Sequence, residues 1–220
     1  MNQDSFHHQK VKRKYLKFLS SQEVMSEPFR DKLGQLNKFY IPICKMIAEE
    51  YLKKKETKVI GLTGGQGTGK STISNILKII LKEGCQLDTV IFSIDDFYKT
   101  YNERKIFSKK ISALFLTRGV PGTHDTKMLY KCIRNFKNKK FKKIMIPKFD
   151  KSIDDRSTKN KWLDVKKKPN IVIFEGWGVG EEAKKKKDLI IPLNKLEKLE
   201  DKKKIWRQRV NFELKKNYKK

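Results

Sequence analysis

The chain has 220 residues, enough for one core of ordinary size, and 37% of them are apolar. The apolar residues gather in short runs, which excludes a disordered chain, and no run approaches the ~18 residues of a membrane-spanning helix. The formal net charge is +28, from 53 Lys plus Arg against 25 Asp plus Glu. Only 8 of the 53 are arginine, and the lysines are spread over the whole length. Sequence-reading proteins lean on arginine forks, so specific nucleic-acid readout is not expected, although a field of this sign attracts polyanions at low salt. Cys44, Cys85 and Cys132 fit no zinc spacing and no disulfide framework. The N-terminus has no long apolar core or small-residue cleavage site of a secretory signal. A cytoplasmic protein with free thiols and no membrane partner is expected, and no feature bears on oligomeric state.

Residues 1–35 are polar, with one predicted helix over Lys10–Leu19. In residues 36–56, Leu36, Phe39, Tyr40, Ile43, Ile47 and Tyr51 recur at helical spacing. Lys58–Leu62 reads as a buried strand, Gly64–Lys70 as a loop, and Ser71–Lys82 as a helix that Gly84 terminates. Asp88–Ile94 is a second strand, followed by a loop over Asp95–Tyr101. Ile106–Leu116 is predicted helical, Arg118–Asp125 a loop, and Thr126–Asn138 a helix. Ile144–Pro147 is a short strand, Lys151–Lys161 a polar loop, and Ile171–Phe174 a third buried strand. Helical patterns return at Asn194–Glu200 and Lys203–Tyr218. Strands alternating with helices imply an α/β fold, a parallel sheet between two helical layers.

The run Gly64, Gly65, Gln66, Gly67, Thr68, Gly69, Lys70, Ser71 matches G-x-x-x-x-G-K-[ST] between a predicted strand and a predicted helix. Glycines let the backbone turn its N–H groups inward around phosphate oxygens. The helix through Ser71 and Thr72 points its positive end at the same phosphates. Lys70 is placed to reach the β- and γ-phosphates, and the Ser71 hydroxyl to hold Mg²⁺. A nucleoside triphosphate and Mg²⁺ are therefore expected at this loop.

Phosphoryl transfer also needs a carboxylate near the metal and a group that takes the acceptor's proton. Glu175 directly follows IVIF, at the carboxyl edge of a strand, where open α/β sheets bind ligands. Asp95 and Asp96 follow VIFSI in the same way. Asp95 is the preferred base. Asp96 is a candidate helper near Mg²⁺ or a helix N-cap.

In order along the chain come GLTGGQGTGKST, SIDDFYKT, LTRGVPGTHD, IPKFDKS, DDR, IVIFEGWGVG and IPLNKLEKLED. Together they resemble the glycerate kinase family of P-loop kinases, kin to uridine kinase, phosphoribulokinase and bacterial pantothenate kinase. The resemblance covers residues 36–218. It implies a P-loop NTPase fold, ATP as donor, D-glycerate as acceptor and 3-phosphoglycerate as product. It also implies that Asp95 is the base and that RGVPGTHD and PKFDKS line the acceptor pocket. Arg118 offers a planar fork suited to a carboxylate, with His124, Asp125, Asp150, Lys151 and Arg156 on loops facing the same cleft.

The chain is expected to divide into a polar extension, residues 1–35, and a kinase domain, residues 36–220. Two departures from the family stand out. KSIDDR is shorter than the family's loop there, and after Asn211 no apolar run is able to form a further strand. A sheet of three main strands without a lid segment is expected. Two alternatives remain open: a uridine- or pantothenate-type acceptor, and a nucleotide-binding remnant without catalysis.

Overall fold

The computed structural model describes residues 6–24 and 28–218. The chain divides into two units. The first runs to Phe92 and adds Asn135–Lys142 and Lys167–Trp177; the second comprises Ser93–Arg134, Lys143–Lys166 and the chain from Gly178 onward.

In the first unit, the apolar run Ile171–Phe174 begins β7 (Ile171–Gly176), and Ile171, Val172 and Ile173 are fully buried. A strand buried on both faces must be central. It pairs in parallel with β1 (Lys58–Thr63), Ile60 opposite Ile173 and Leu62 opposite Glu175. The third strand, β2 (Thr89–Ser93), lies on the other side, giving the order β1-β7-β2. Ile171 and Ile173 share a core with α1 (His8–Gln22), α3 (Ile41–Lys54) and α4 (Lys70–Cys85). Facing the other way, Phe174 meets Phe92, whose ring stacks on Phe136 at 6.1 Å between centroids. Helical cover on one side and aromatic cover on the other yield the expected layered α/β arrangement.

Helix α1 lies within the stretch expected to be an extension. It buries Val11, Tyr15 and Leu19 in the same core as α3 and α4. The periodic segment at residues 36–56 begins earlier than predicted, with α2 (Lys32–Gln35), and passes through one π turn at Leu36–Tyr40 before α3. Gly84 does not stop α4. It lies inside the helix, and a Cβ there would approach the Phe6 ring to 2.4 Å. The helix ends one residue later, at Cys85, and Gln86 takes the left-handed turn at φ 58°. Gly84 is thus the seat of an N-terminal aromatic ring rather than a cap.

In the second unit, α5 (Tyr101–Lys110) starts five residues before the predicted Ile106, because Thr100 and Glu103 form a reciprocal capping box. The polar stretch at 151–161 is not all loop. A short hairpin of β4 (Phe149–Asp150) and β5 (Asp155–Arg156) occupies its start, and β6 (Leu163–Val165) pairs antiparallel with β3 (Ile144–Ile146). Helix α6 (Thr126–Lys137) runs from this unit into the first. At the C-terminal end come α7 (Lys195–Glu200), α8 (Ile205–Glu213) and a π turn at Leu214–Tyr218. Arg207 ties these together: it is buried, donates to Leu189 O at 3.0 Å and lies against the carboxylates of Glu197 and Asp201. No helix among the described residues is long and apolar enough to cross a membrane.

Candidate active site

The predicted site residues fall into two groups, one in each unit. In the first, β1 ends at Thr63 and the chain curls through Gly64–Gly69 into α4. Gly67 and Gly69 both sit at φ 78°, left-handed backbone that glycine adopts without penalty. Gly64 is held closely, since a Cβ there would meet Thr68 Oγ1 at 2.8 Å. Thr68 Oγ1 donates to Gly65 O at 2.9 Å, and Lys70 Nζ donates to the same carbonyl at 2.5 Å. The lysine therefore folds back over its own loop. The first N–H groups of α4, from Lys70 to Thr72, have no acceptor within the helix. Together with the helix dipole they make an exposed anion-binding nest.

Register places Glu175 beside Leu62, next to the strand end that feeds the loop. Its carboxylate is buried, and its Oε1 lies 3.5 Å from the Ser71 hydroxyl. A buried carboxylate facing a hydroxyl is a set of hard oxygen donors, which fits Mg²⁺ and not a soft metal. Ser71 and Glu175 are the residues that would hold it.

The second group begins just past β2. Asp95 Oδ1 accepts from Tyr98 Oη at 2.9 Å, and Oδ2 pairs with Lys151 Nζ at 2.9 Å. Burial alone would raise the Asp95 pKa. The Lys151 ammonium and the Tyr98 hydroxyl outweigh it and hold the carboxyl below its ordinary value. Asp95 is thus an ionised, hydrogen-bonded carboxylate. Lys151 comes from the tip of the β4–β5 hairpin, so the structure joins two predicted site residues 56 positions apart.

Asp96 is used differently from the metal role considered for it. Its Oδ2 accepts from Ser93 N at 3.0 Å in a capping box, and its Oδ1 pairs with Lys148 at 2.9 Å. Asp96 thus takes the capping part, the alternative the sequence also offered for it. Asp125 caps α6 by accepting from Met128 N and pairs with Arg156 at 3.2 Å; Arg156 also donates to Tyr98 O at 2.9 Å. These two brace the site. Asp150 closes the hairpin turn, accepting from Ser152 N and Oγ.

Arg118, expected to offer its fork to an acceptor carboxylate, has one nitrogen bonded to Asp154, a residue the sequence reading passed over. Asp154 sits at φ 52° in the hairpin turn. It is held from its other side by Arg104, which is fully buried and donates to Lys99 O, Leu116 O and Asp154 O besides pairing with the Asp154 carboxylate at 2.9 Å. In sequence, Arg104 lies among Glu103, Lys105, Lys109 and Lys110 and looks like one more solvated charge. Truncating it leaves three carbonyls without their donor, while the Asp154 carboxylate keeps Arg118. Arg104→Ala is expected to lower the urea midpoint by the equivalent of about 2–3 kcal/mol, and Arg104→Lys, lacking the fork, recovers little of this.

His124 is fully buried and stacks on Tyr98, ring centroids 4.4 Å apart. Burial pushes its pKa down to about 3, so its ring is neutral at ordinary pH. Its Nδ1 lies 2.6 Å from Tyr218 Oη. Tyr98 and Tyr218 were both missed. Tyr98 had a signal, standing three residues after Asp95 in SIDDFYKT, whereas nothing in the sequence marks Tyr218.

Residues 59–211 match the Phosphoribulokinase / Uridine kinase family. An uncharacterized kinase, mug58, of Schizosaccharomyces pombe is 33% identical over 147 residues, 64% of this chain and 53% of that protein. The chloroplastic D-glycerate 3-kinase of Arabidopsis thaliana is 31% identical over 164 residues, 67% of this chain and 36% of that protein. The chain thus spans about half the length of the first of these relatives, and less of the second. A solved D-glycerate 3-kinase from Cryptococcus neoformans superposes with a TM-score of 0.64 at 22% identity, covering 79% of this chain and 65% of that one, which supports the fold. With the loop, the strand order and a match over more than half its length, the chain belongs to the phosphoribulokinase and uridine kinase family of P-loop kinases.

Proposed function

We propose that the chain carries the catalytic residues of an ATP-dependent kinase for a small hydroxy acid, with D-glycerate the leading acceptor and 3-phosphoglycerate its product. The observation that carries this reading is the curled Gly64–Gly69 loop, with left-handed Gly67 and Gly69 opening α4 beside Ser71 and Glu175. Glycerate is favoured by the likeness to the Arabidopsis enzyme and by two cations of the second unit, Lys151 paired with Asp95 and Arg118 paired with Asp154.

In this reading the loop amides and Lys70 bind the phosphates of ATP, and Ser71 and Glu175 hold Mg²⁺. When bound, that ion neutralises charge on the phosphate oxygens. Asp95 accepts the proton of the acceptor hydroxyl as its oxygen bonds to the γ-phosphorus. The bond between that phosphorus and the β–γ bridging oxygen breaks, and ADP leaves. Arg118 binds the acceptor carboxylate, in competition with Asp154.

The test is an ADP-release assay with purified protein and a panel of acceptors: D-glycerate, L-glycerate, uridine and pantothenate. Release that depends on D-glycerate supports the reading. Release with uridine or pantothenate instead overturns the acceptor but keeps the kinase. Nucleotide binding without acceptor-dependent release overturns the kinase.

A further inference from the structure

We propose that Tyr218 fixes the tautomer of His124, so that His124 Nε2–H becomes a hydrogen-bond donor to an oxygen of the bound acceptor. This rests on the kinase reading above and adds a donor to its acceptor site.

The loop from Arg118 to Asp125 is built tightly. Thr123 is fully buried, its Oγ1 accepts from Gly119 N and donates to Val120 O, and Gly122 lies at φ 106°. A Cβ on Gly122 would press within 3.1 Å of Glu213 and 3.3 Å of Phe115, so the loop rests directly on α8. The π turn after α8 is fastened too. Tyr130 Oη donates to Asn217 O at 2.8 Å, and Asn217 Nδ2 donates to Glu213 Oε2 at 2.6 Å. Tyr218 is thereby held against the loop, where its Oη accepts from Gly122 N at 3.2 Å and meets His124 Nδ1 at 2.6 Å.

A count of protons selects the tautomer. The neutral imidazole carries one N–H. If Nδ1 carried it, Tyr218 Oη would accept from both Nδ1 and Gly122 N, and its own hydrogen would be left without an acceptor among the described residues. The bare Nε2 would be left without a donor as well. If Nε2 carries the proton, Tyr218 donates to Nδ1 and accepts from Gly122, and of the groups on the Gly122 amide, the Tyr218 hydroxyl and the His124 ring only one is unmatched. That one is Nε2–H, which is buried and has no partner among the described residues. One unmatched group costs less than two.

The unmatched donor belongs to the acceptor cluster. His124 stacks on Tyr98, and Tyr98 is bonded to Asp95, the proposed base. The charge of Asp95 favours a positive edge on His124, which suits a donor and not a bare lone pair. The ring stays neutral at ordinary pH, so His124 holds its proton rather than passing it on. An oxygen of a small hydroxy acid is the chemical class of partner that completes the count.

The test labels the three histidines with ¹⁵N and reads their tautomers by long-range ¹H–¹⁵N correlation in the full chain. His124→Gln identifies the resonance. The expected wild-type pattern is a single neutral form protonated at Nε2, with the Nε2–H signal moving downfield when D-glycerate and a non-hydrolysable ATP analogue are added. Tyr218→Phe is expected to give a tautomer mixture and to raise the acceptor KM about tenfold, more than it lowers kcat. His124→Gln, which keeps a donor, retains a lower acceptor KM than His124→Leu. A wild-type His124 protonated at Nδ1 overturns the proposal whatever the activity. So does an acceptor KM unchanged in Tyr218→Phe and in His124→Leu. A chain that turns over no acceptor removes the kinase reading and the acceptor contact with it, while the tautomer, read by NMR alone, still tests the part played by Tyr218.

Discussion

Lys70→Ala is expected to lower ATP-dependent turnover by about 10²–10³-fold while leaving the melting temperature of the unliganded protein nearly unchanged. Lys70 lies in the first turn of α4, is partly exposed, and donates only to Gly65 O of its own loop. Its removal opens no cavity and strands no buried charge. In the proposed mechanism it takes away the cation that would leave Gly65 O for phosphate oxygens gaining charge in the transition state. Losing one such preorganised group in a site of this kind typically costs two to three decades in kcat. A second readout follows from linkage. A ligand that binds only the folded state raises Tm in proportion to ln(1 + [L]/Kd), so the rise produced by MgATP in the wild type shrinks in the variant. Unchanged turnover together with an unchanged nucleotide-induced Tm rise would mean that phosphates are held elsewhere.

The parts of the site that could be read in the sequence are those whose chemistry is local. The loop of Gly64–Ser71 declares itself through adjacent residues, because each glycine is there for the backbone of the next. Glu175 and Asp95 declare themselves by following apolar strands. Other residues act through partners far along the chain. Arg104 reaches Asp154 across 50 positions, Arg118 reaches it across 36, and Tyr218 reaches His124 across 94. Nothing in the neighbours of Arg104 or Tyr218 separates them from surface residues of the same type. Gly84 misled for a related reason. Glycine serves both as a helix stop and as room for a close neighbour, and only Phe6, 78 positions away, tells which use applies. The start of α5 is a different case. Thr100 and Glu103 spell a capping box in the sequence itself, and giving more weight to the apolar spacing after Ile106 concealed it.

Asp95 and Asp96 are adjacent carboxylates in the same motif, and the structure gives them opposite work, which a pair of substitutions separates. Asp95→Asn keeps the size of the side chain and can still accept from Tyr98, so the fold is expected to hold. It removes the negative charge that Lys151 faces and, in the proposed mechanism, the basicity that takes the acceptor proton. General-base contributions run to about 10²–10⁴-fold, and kcat is expected to fall within that range with the KM for ATP little changed. Asp96→Ala removes the cap on Ser93 N and the partner of Lys148. Its expected effect is on stability, about 1 kcal/mol in a denaturation midpoint, with kcat changed far less than in Asp95→Asn. The contrast follows from geometry: one Asp95 oxygen faces only the exposed ammonium of Lys151, which a substrate can displace, whereas one Asp96 oxygen is tied to the backbone that shapes the turn. If Asp96→Ala proved the more damaging to kcat at equal stability, the base would have to be assigned to Asp96, and the Lys151 pair would be reduced to a surface contact.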